Sequence, residues 1–95
     1  MKLKWTSKAL SDLARLYDFL APVNKRAAAR IVQSLTTAPV RLLENPRIGA
    51  ARAERKGLRS YPVGNGLVFH RVISGGVEVP RVLHGQRNVR RGLRK

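Results

Sequence analysis

The spacing of apolar residues changes once along this chain of 95 residues, and that change sets the fold class. Between residues 7 and 43, apolar side chains recur at the spacing of amphipathic helices. Residues 58–83 are instead short apolar runs separated by glycine-containing turns, a pattern typical of strands. A chain of this length has room for about one folded domain. The sequence therefore predicts a single α+β domain over residues 1–95.

A helical hairpin is predicted after a short strand at residues 2–5. The first helix follows Thr6 or Ser7, because either hydroxyl can accept a hydrogen bond from an unpaired N–H at a helix N-terminus. Pro22 ends this helix and Asn24 can cap the next one. The connection between the two helices is therefore expected to be tight.

The second helix contains a proline within its apolar pattern. Pro39 lacks an N–H group and is expected to kink or restart the helix. Asn45, Pro46 and Gly49 then end the helical part of the chain. We therefore expect a bent or interrupted helix before the strands begin.

Three antiparallel strands are predicted in the second half of the chain. They occupy residues 58–63, 67–73 and 77–83, and turns at residues 64–66 and 74–76 join them into a meander. The middle strand is almost continuously apolar, so it should be buried on most of both faces. The predicted order of elements is β-α-α-β-β-β.

Most of the positive charge has no negative partner within the chain. The sequence contains 20 lysines and arginines against five acidic residues, a net charge of +15. Residues 1–54 hold ten basic and four acidic residues, and residues 55–95 hold ten basic residues and one acidic residue, so the net charges are +6 and +9. The basic tail at residues 87–95 is the most biased segment. Because such self-repulsion destabilises a compact state, we expect a polyanionic partner, either nucleic acid or an acidic protein segment.

Several classes of function are disfavoured by what the chain lacks. It has no cysteine, its two histidines are 14 positions apart and its acids are scattered, so neither a metal site nor a cofactor is expected. No apolar run approaches the ~18 residues of a membrane-spanning helix, and no membrane partner is expected. The absence of cysteine is also typical of the reducing cytoplasm, which is the expected location.

The histidines and large aromatic residues have structural interpretations. His84, at the end of the last strand, is either a general base near neutral pH or a structural residue that satisfies a strand-end carbonyl. His70 lies inside an apolar strand and is expected to pack rather than react. Trp5 and Phe69 are expected to anchor the core.

Five short motifs occur in a fixed order along the chain. They are Ser-Lys-Ala-x-x-Asp-Leu at residues 7–13, Leu-Glu-Asn-Pro-Arg-Ile-Gly at 43–49, Gly-Leu-Arg at 57–59, Leu-Val-Phe-His-Arg-Val at 67–72 and Arg-Val-Leu-His-Gly-Gln-Arg at 81–87. In this order and spacing, the chain resembles the RelE/ParE superfamily of bacterial toxins from type II toxin–antitoxin systems. The resemblance implies a helical hairpin packed on a small, mostly antiparallel sheet. It also implies a toxin that a cognate antitoxin holds in check.

One branch of the superfamily, the RelE-like branch, implies a metal-free ribonuclease that cleaves messenger RNA on the ribosome. Such chemistry needs a base, an acid and cations that stabilise a charged phosphate. Arg59 and Arg87 fall where that branch carries functional arginines, and His84 would complete the set. This chain departs from the branch at its end, which is Arg-Gly-Leu-Arg-Lys and has no tyrosine or histidine.

The ParE-like branch is the more similar of the two. The closing motif at residues 81–87 and the interrupted second helix are typical of it, and membership implies a poison of DNA gyrase without hydrolytic activity. The chain departs at His70, where a tyrosine is common, and at Asn88, where an aspartate is common.

The preferred hypothesis is therefore a gyrase-poisoning toxin with no catalytic residues. The alternatives are a ribosome-dependent ribonuclease and a non-enzymatic nucleic-acid-binding module, the latter based on charge alone. The antitoxin is expected to be acidic and to form a hetero-oligomer with the toxin, with Leu16 and Leu20 as its apolar anchors. The residues predicted to bind the target are Arg59, Arg81, His84, Arg87, Arg90 and Arg91.

Overall fold

A computed structural model describes residues 2–85 of the chain. The elements are β1 (Lys2–Trp5), α1 (Ser7–Leu20), α2 (Lys25–Thr37), a 3₁₀ helix (Ala38–Leu43), β2 (Ala50–Ala51), β3 (Arg59–Val63), β4 (Gly66–Ile73) and β5 (Gly76–His84). The predicted order of elements is confirmed, with one addition, the two-residue strand β2. The predicted basic tail at residues 87–95 lies outside the described residues.

The strands form one mixed sheet in the order β1-β5-β4-β3-β2. β1 runs parallel to β5, with Leu3 opposite Val77 and Trp5 opposite Val79. All other neighbouring strands are antiparallel, including the predicted meander of β3, β4 and β5. The α+β class and the mostly antiparallel sheet are therefore confirmed.

Side-chain caps set where the helices begin. Oγ1 of Thr6 accepts a hydrogen bond from the N–H of Ala9 at 3.0 Å, and Oδ1 of Asn24 accepts one from Ala27 at 3.0 Å. Pro39 lies in the first turn of the 3₁₀ helix, where its missing N–H is not needed, so the predicted restart is confirmed. Among the described helices, the longest is α1 with 14 residues, and none has the length and hydropathy needed to cross a bilayer.

The core lies between the helical layer and the sheet. Three consecutive residues of β4, Val68, Phe69 and His70, are all fully buried, so this central strand is covered on both faces as predicted. Trp5 is half-buried and packs against the edge of the core. The buried core cluster consists of Ala9, Leu13, Leu16, Leu35, Leu42, Tyr61, Val68, Val77, Val79 and Val82.

The carboxylate of Asp12 ties α1 to the edge of the sheet. Its oxygens accept hydrogen bonds from Nε and Nη2 of Arg81 at 2.8 and 3.1 Å, which makes a bidentate ion pair. The same carboxylate accepts from the N–H of Val82 at 2.9 Å. The pairing of β1 with β5 ends at Val79, so without Asp12 the N–H of Val82 would be an unpaired strand edge. One acidic side chain therefore continues the sheet's hydrogen bonding where β1 stops.

A bulge interrupts the ladder between β4 and β5. Phe69 lies opposite Arg81 and Arg71 lies opposite Glu78, so Val79 and Pro80 together face the single residue His70. Proline has no N–H to donate to a ladder, and a bulge is a position where that lack is tolerated. The bulge therefore follows from the position of Pro80.

Removing the Asp12 carboxylate should destabilise the fold strongly. The variant Asp12→Ala removes the carboxylate that accepts from the Arg81 guanidinium and the Val82 N–H. The side chains of Asp12 and Arg81 are only 10% and 18% exposed in the native pair. We expect the free energy of unfolding to fall by about 2–4 kcal/mol, measured by urea denaturation.

The matched control is Asp18→Ala, because Asp18 is an exposed acid on the same helix. We expect that change to stay within about 0.5 kcal/mol. Equal losses for the two variants would show that the Asp12 tie does not stabilise the fold.

Candidate functional site

An open cleft with a volume of about 400 Å³ lies beside the short β2–β3 pair. Segment 47–59, which supplies most of its wall, contains five basic residues and one acid, Glu54. None of the lining residues comes from α1 or α2, so the cleft and the helical hairpin are separate surfaces. The lining residues of this arginine cleft are Arg47, Ala51, Arg52, Gly57, Leu58, Arg59 and Val72.

The guanidinium of Arg52 is held in place from two sides. Its Nε and Nη2 donate to the two carboxylate oxygens of Glu54 at 3.2 and 2.6 Å. Its Cζ lies 5.5 Å from the centre of the buried Phe69 ring, within the range of a cation–π contact. The Arg52 side chain remains 25% exposed to solvent.

Two consecutive carbonyls of the chain before β2 accept hydrogen bonds from side chains on the sheet. Nη2 of Arg59 donates to the oxygen of Gly49 at 2.8 Å, and Nε2 of His70 lies 3.0 Å from the oxygen of Ile48. A carbonyl oxygen only accepts, so the His70 proton is on Nε2 and its Nδ1 is bare. Arg59 and His70 face each other across β3 and β4. This carbonyl clamp holds the chain that enters the arginine cleft against the sheet.

Gly49 is required where the clamped chain passes β3. Its φ is +88°, in the left-handed region that favours glycine. A Cβ at this position would collide with the backbone carbonyl of Ser60. The next residue, Ala50, pairs with Ser60 to form the short β2–β3 ladder. This close approach therefore holds the segment that forms the cleft's outer wall against β3.

Burial keeps the titratable rings beside the carbonyl clamp neutral at pH 7. Desolvation raises the pKa of Tyr61 to about 12, a rise that the charge of Arg41 opposes. Burial lowers the pKa of His70, the hydrogen bond to Ile48 opposes this change and the charge of Arg59 adds to it. The two rings meet edge to face with centroids 5.5 Å apart. Enclosed and neutral, they stabilise the fold rather than exchange protons with a ligand.

Within residues 2–85, the residues predicted to bind the target lie in two places. Arg59 lies in the arginine cleft, whereas Arg81 is engaged by Asp12 at the edge of β5. Arg59 faces His70 on β4, and His84 faces Gly66 near the other end of that strand. The two positions are therefore about 13 Å apart along the strand direction and separated by two strand spacings.

A second, smaller cleft of about 80 Å³ lies between α1 and β5. It brings together Arg81 and His84, both predicted to bind the target, and Leu16, predicted to bind the antitoxin, around the ion pair of Asp12. Burial lowers the pKa of His84, so this half-buried imidazole is also neutral at pH 7. The other predicted target-binding residues, Arg87, Arg90 and Arg91, lie outside the described residues.

Leu16 and Leu20 contribute to the core more than to the surface. Leu16 is 6% exposed and belongs to the buried cluster, and Leu20 packs against that cluster. Ala9, Leu13, Leu16 and Leu20 follow one helical stripe, and that stripe faces the sheet. The role of Leu16 and Leu20 in binding an antitoxin stays a prediction, but the exposed apolar side chains of the hairpin are Leu10, Phe19 and Val23.

Arg47 and Arg52 are members of the site that were not predicted from the sequence. A usable signal was present, because segment 47–59 has a net charge of +4 from five basic residues and one acid. The signal was obscured because the segment is mostly irregular, with only the two residues of β2 in a strand. Charge density in a connection, rather than a strand motif, would have identified it.

Three of the five acids, all of which lie within residues 2–85, form ion pairs rather than a cluster. Within residues 2–85, His, Asp and Glu side chains form no group of three that could hold a metal ion. The three ion pairs described are Asp12 with Arg81, Glu54 with Arg52 and Glu78 with Arg71.

The fold defines the class first: a helical hairpin on a mixed five-stranded sheet is the architecture of the RelE/ParE superfamily. A family profile described as "ParE toxin of type II toxin-antitoxin system, parDE" matches residues 3–89. The chain belongs to this family of toxins. No curated protein sequence matches the chain significantly.

Solved structures of toxin–antitoxin systems share the fold. The chromosomal ParDE system of P. aeruginosa has 27% sequence identity and a TM-score of 0.77, covering 90% of this chain and 97% of that one. The isolated RelE toxin of E. coli has 19% identity and a TM-score of 0.63, covering 95% and 89%. The RelBE2 toxin–antitoxin complex of Mycobacterium tuberculosis has 22% identity and a TM-score of 0.57, covering 88% and 96%. The last two similarities concern the fold alone.

Substituting Gly49 should be far more damaging than substituting a glycine in an open turn. Gly49→Ala introduces both a left-handed backbone penalty and a collision with the Ser60 carbonyl. We expect the free energy of unfolding to fall by about 3 kcal/mol or more. Gly64→Ala is the control, because Gly64 also has a positive φ of 59° but open space around it. That control should lose only about 1 kcal/mol, and similar losses in both would contradict the close-approach argument.

Stability should fall as the pH drops below about 6.5, the ordinary histidine pKa. Because the folded-state pKa of His70 is lowered, the unfolded chain binds a proton in a pH range where the folded chain does not. The contribution of neutral His70 to the free energy of unfolding is complete above pH 6.5. It declines by at most about 1.4 kcal/mol per pH unit as the pH falls toward the folded-state pKa of His70.

The variant His70→Gln keeps a donor for the Ile48 carbonyl without a titrating ring. Urea denaturation at pH 7.0 and 5.5 should therefore show a smaller pH dependence in this variant than in the wild type. His84→Gln controls for the second histidine whose pKa is lowered. An unchanged pH dependence in His70→Gln would exclude His70 as its source.

Proposed function

We propose that this toxin poisons DNA gyrase, has no hydrolytic activity of its own and is neutralised by an acidic antitoxin. The observation that carries the proposal is the ParE family match, which extends over residues 3–89 of a 95-residue chain. The similarity to the ParDE system of P. aeruginosa, at 27% identity, supports the same assignment. Poisoning of gyrase is what membership of the ParE-like branch implies.

The positions of the candidate ribonuclease residues support a non-hydrolytic toxin. A general base and the cations that stabilise a transition state must lie within hydrogen-bonding reach of one substrate. Arg59 and His84 are about 13 Å apart along the sheet and separated by two strand spacings, and Arg59 already donates to Gly49. Arg81, which lies nearer to His84, is engaged by Asp12. The separation of these two described candidates supports the proposal of a toxin without hydrolytic activity.

Gyrase poisoning requires binding without chemistry. An inhibitor that binds the cleaved-DNA state of the enzyme more tightly than the other states increases the population of that state. Such a mechanism needs a complementary surface on the toxin and no general base. The basic sheet of this chain is suited to that role, because Arg59, Arg71 and Arg81 on its strands each donate to a fixed partner.

The charge and the exposed apolar residues support an acidic antitoxin as the partner. The chain carries +15, and the hairpin exposes Leu10, Phe19 and Val23 at 53%, 61% and 88%. Two exposed cations at the start of α2, Lys25 and Arg26, follow closely after Val23 in the sequence. An amphipathic acidic segment would cover the apolar side chains and neutralise the cations, giving a hetero-oligomer.

Purified toxin should inhibit DNA supercoiling by gyrase and cause cleaved DNA to accumulate. We expect linear DNA to appear in a toxin-dependent manner once the reaction is stopped with detergent and protease, because the poisoned intermediate holds a broken duplex. The antitoxin encoded beside the toxin should restore supercoiling at an equimolar amount.

A parallel reaction with ribosomes and a translated message tests the ribonuclease alternative by primer extension. Uninhibited supercoiling with no cleaved DNA, even at large excess of toxin, would reject the gyrase proposal. Toxin-dependent cleavage of the message would favour the RelE-like activity instead.

A further inference from the structure

The arginine cleft concentrates positive charge beyond what its neighbours neutralise. Three arginines line it, Arg47, Arg52 and Arg59, and no acid is among its lining residues. Glu54, the single acid of segment 47–59, is paired with Arg52. Arg47 is exposed and its side chain makes no ion pair among the described residues. The cleft therefore has a net attraction for anions that the folded chain does not satisfy.

Two of the cleft's guanidinium groups are preorganised. Arg52 is fixed by Glu54 and by the Phe69 ring, and Arg59 is fixed by the carbonyl of Gly49. Each guanidinium has five N–H donors, and these contacts use two on Arg52 and one on Arg59. Binding a ligand costs little side-chain entropy in Arg52 and Arg59, because these side chains are already ordered. Planar guanidinium groups with spare donors are suited to phosphate oxygens.

The shape and polarity of the cleft favour a nucleic-acid backbone over a protein segment. A protein partner needs apolar anchors in desolvated pockets. Here the apolar lining is limited to Ala51, to Leu58, which is 4% exposed, and to Val72, which lies in the open. Of the large exposed apolar side chains described, Leu10, Phe19 and Val23 are on the helical hairpin and Val40 is in the 3₁₀ helix, so Val72 alone belongs to the cleft. A polyanion that is bound mostly through charge fits the cleft better.

We infer that the arginine cleft binds the phosphate backbone of duplex DNA, with Arg47 and Arg52 as phosphate contacts. The inference rests on the proposed function, because the DNA concerned is the segment that gyrase holds. The toxin then contacts the poisoned complex through its DNA as well as through the enzyme. The helical hairpin stays available to the antitoxin, since it contributes no residue to the cleft.

Salt-dependent binding of the full-length toxin to a labelled 20-base-pair duplex tests this inference without gyrase. Each phosphate contact contributes a slope of about −0.9 to the plot of log affinity against log salt concentration. Arg47→Gln and Arg52→Gln should each reduce the magnitude of the slope by about one and weaken binding about five- to tenfold at 0.1 M salt. Fluorescence anisotropy gives both quantities.

Arg26→Gln is the matched control, because it removes one exposed arginine from α2, away from the cleft. It should leave the slope unchanged. Arg52 also holds Glu54, so Arg47→Gln, which breaks no described ion pair, keeps the test valid if Arg52→Gln unfolds. Thermal melting of each variant monitors folding.

Slopes for both cleft variants equal to that of Arg26→Gln would overturn the inference. Cleft variants that bind DNA normally but lose affinity for the purified antitoxin would also overturn it, in favour of an acidic protein ligand.

The gyrase assay is read separately. Wild-type toxin that poisons gyrase while Arg47→Gln poisons it equally well leaves the proposed function intact and rejects the DNA contact. Loss of DNA binding in Arg47→Gln, together with weaker gyrase poisoning by that variant, supports the contact. Wild-type toxin that binds DNA through the cleft but does not poison gyrase rejects the proposed function alone.

Discussion

The carboxylate of Asp12 is the contact on which the arrangement of helices and sheet depends. It joins residues 69 and 70 positions apart in the sequence, through the Arg81 guanidinium and the Val82 N–H. β1 is too short to cover the whole edge of β5, so one side chain of α1 takes over the hydrogen bonding that a longer strand would supply. The register of the hairpin against the sheet is set by that replacement, and Arg81 becomes a structural residue rather than a free cation.

The cleft depends on a second set of side-chain contacts to backbone carbonyls. Arg59 and His70 hold the carbonyls of Gly49 and Ile48, and the missing side chain of Gly49 lets the chain lie against β3. A basic connection with little regular structure thereby acquires a defined wall. At the Asp12 contact and at the carbonyl clamp, the arginines on the sheet, Arg81 and Arg59, act as hydrogen-bond donors within the fold. Arg47 and Arg52 provide the proposed contact with DNA.

Local sequence signals were sufficient for most of the fold. Thr6 and Asn24 cap the helices that they were expected to cap, and Pro39 restarts the helix, because capping and proline effects depend on near neighbours in the chain. The site was harder to predict. Charge and motif grouped Arg59, Arg81 and His84 in one predicted surface. In the structure, the sheet separates Arg59 from His84, and Arg81 pairs with Asp12. Pairings across more than 60 residues leave no local mark in the sequence.

Composition and apolar spacing alone predicted a small basic α+β domain, because both are properties of the chain before it folds. The order of its motifs gave the resemblance to the RelE/ParE superfamily, and the family profile confirms that resemblance. Tertiary structure decided which cations are available to a partner. In the fold, Arg81 donates to Asp12 and Arg59 donates to the carbonyl of Gly49. Arg47 is exposed in the same cleft as Arg52, which donates to Glu54. The physical reason is that an ion pair or a carbonyl contact forms only when the strands and helices bring distant groups within hydrogen-bonding distance.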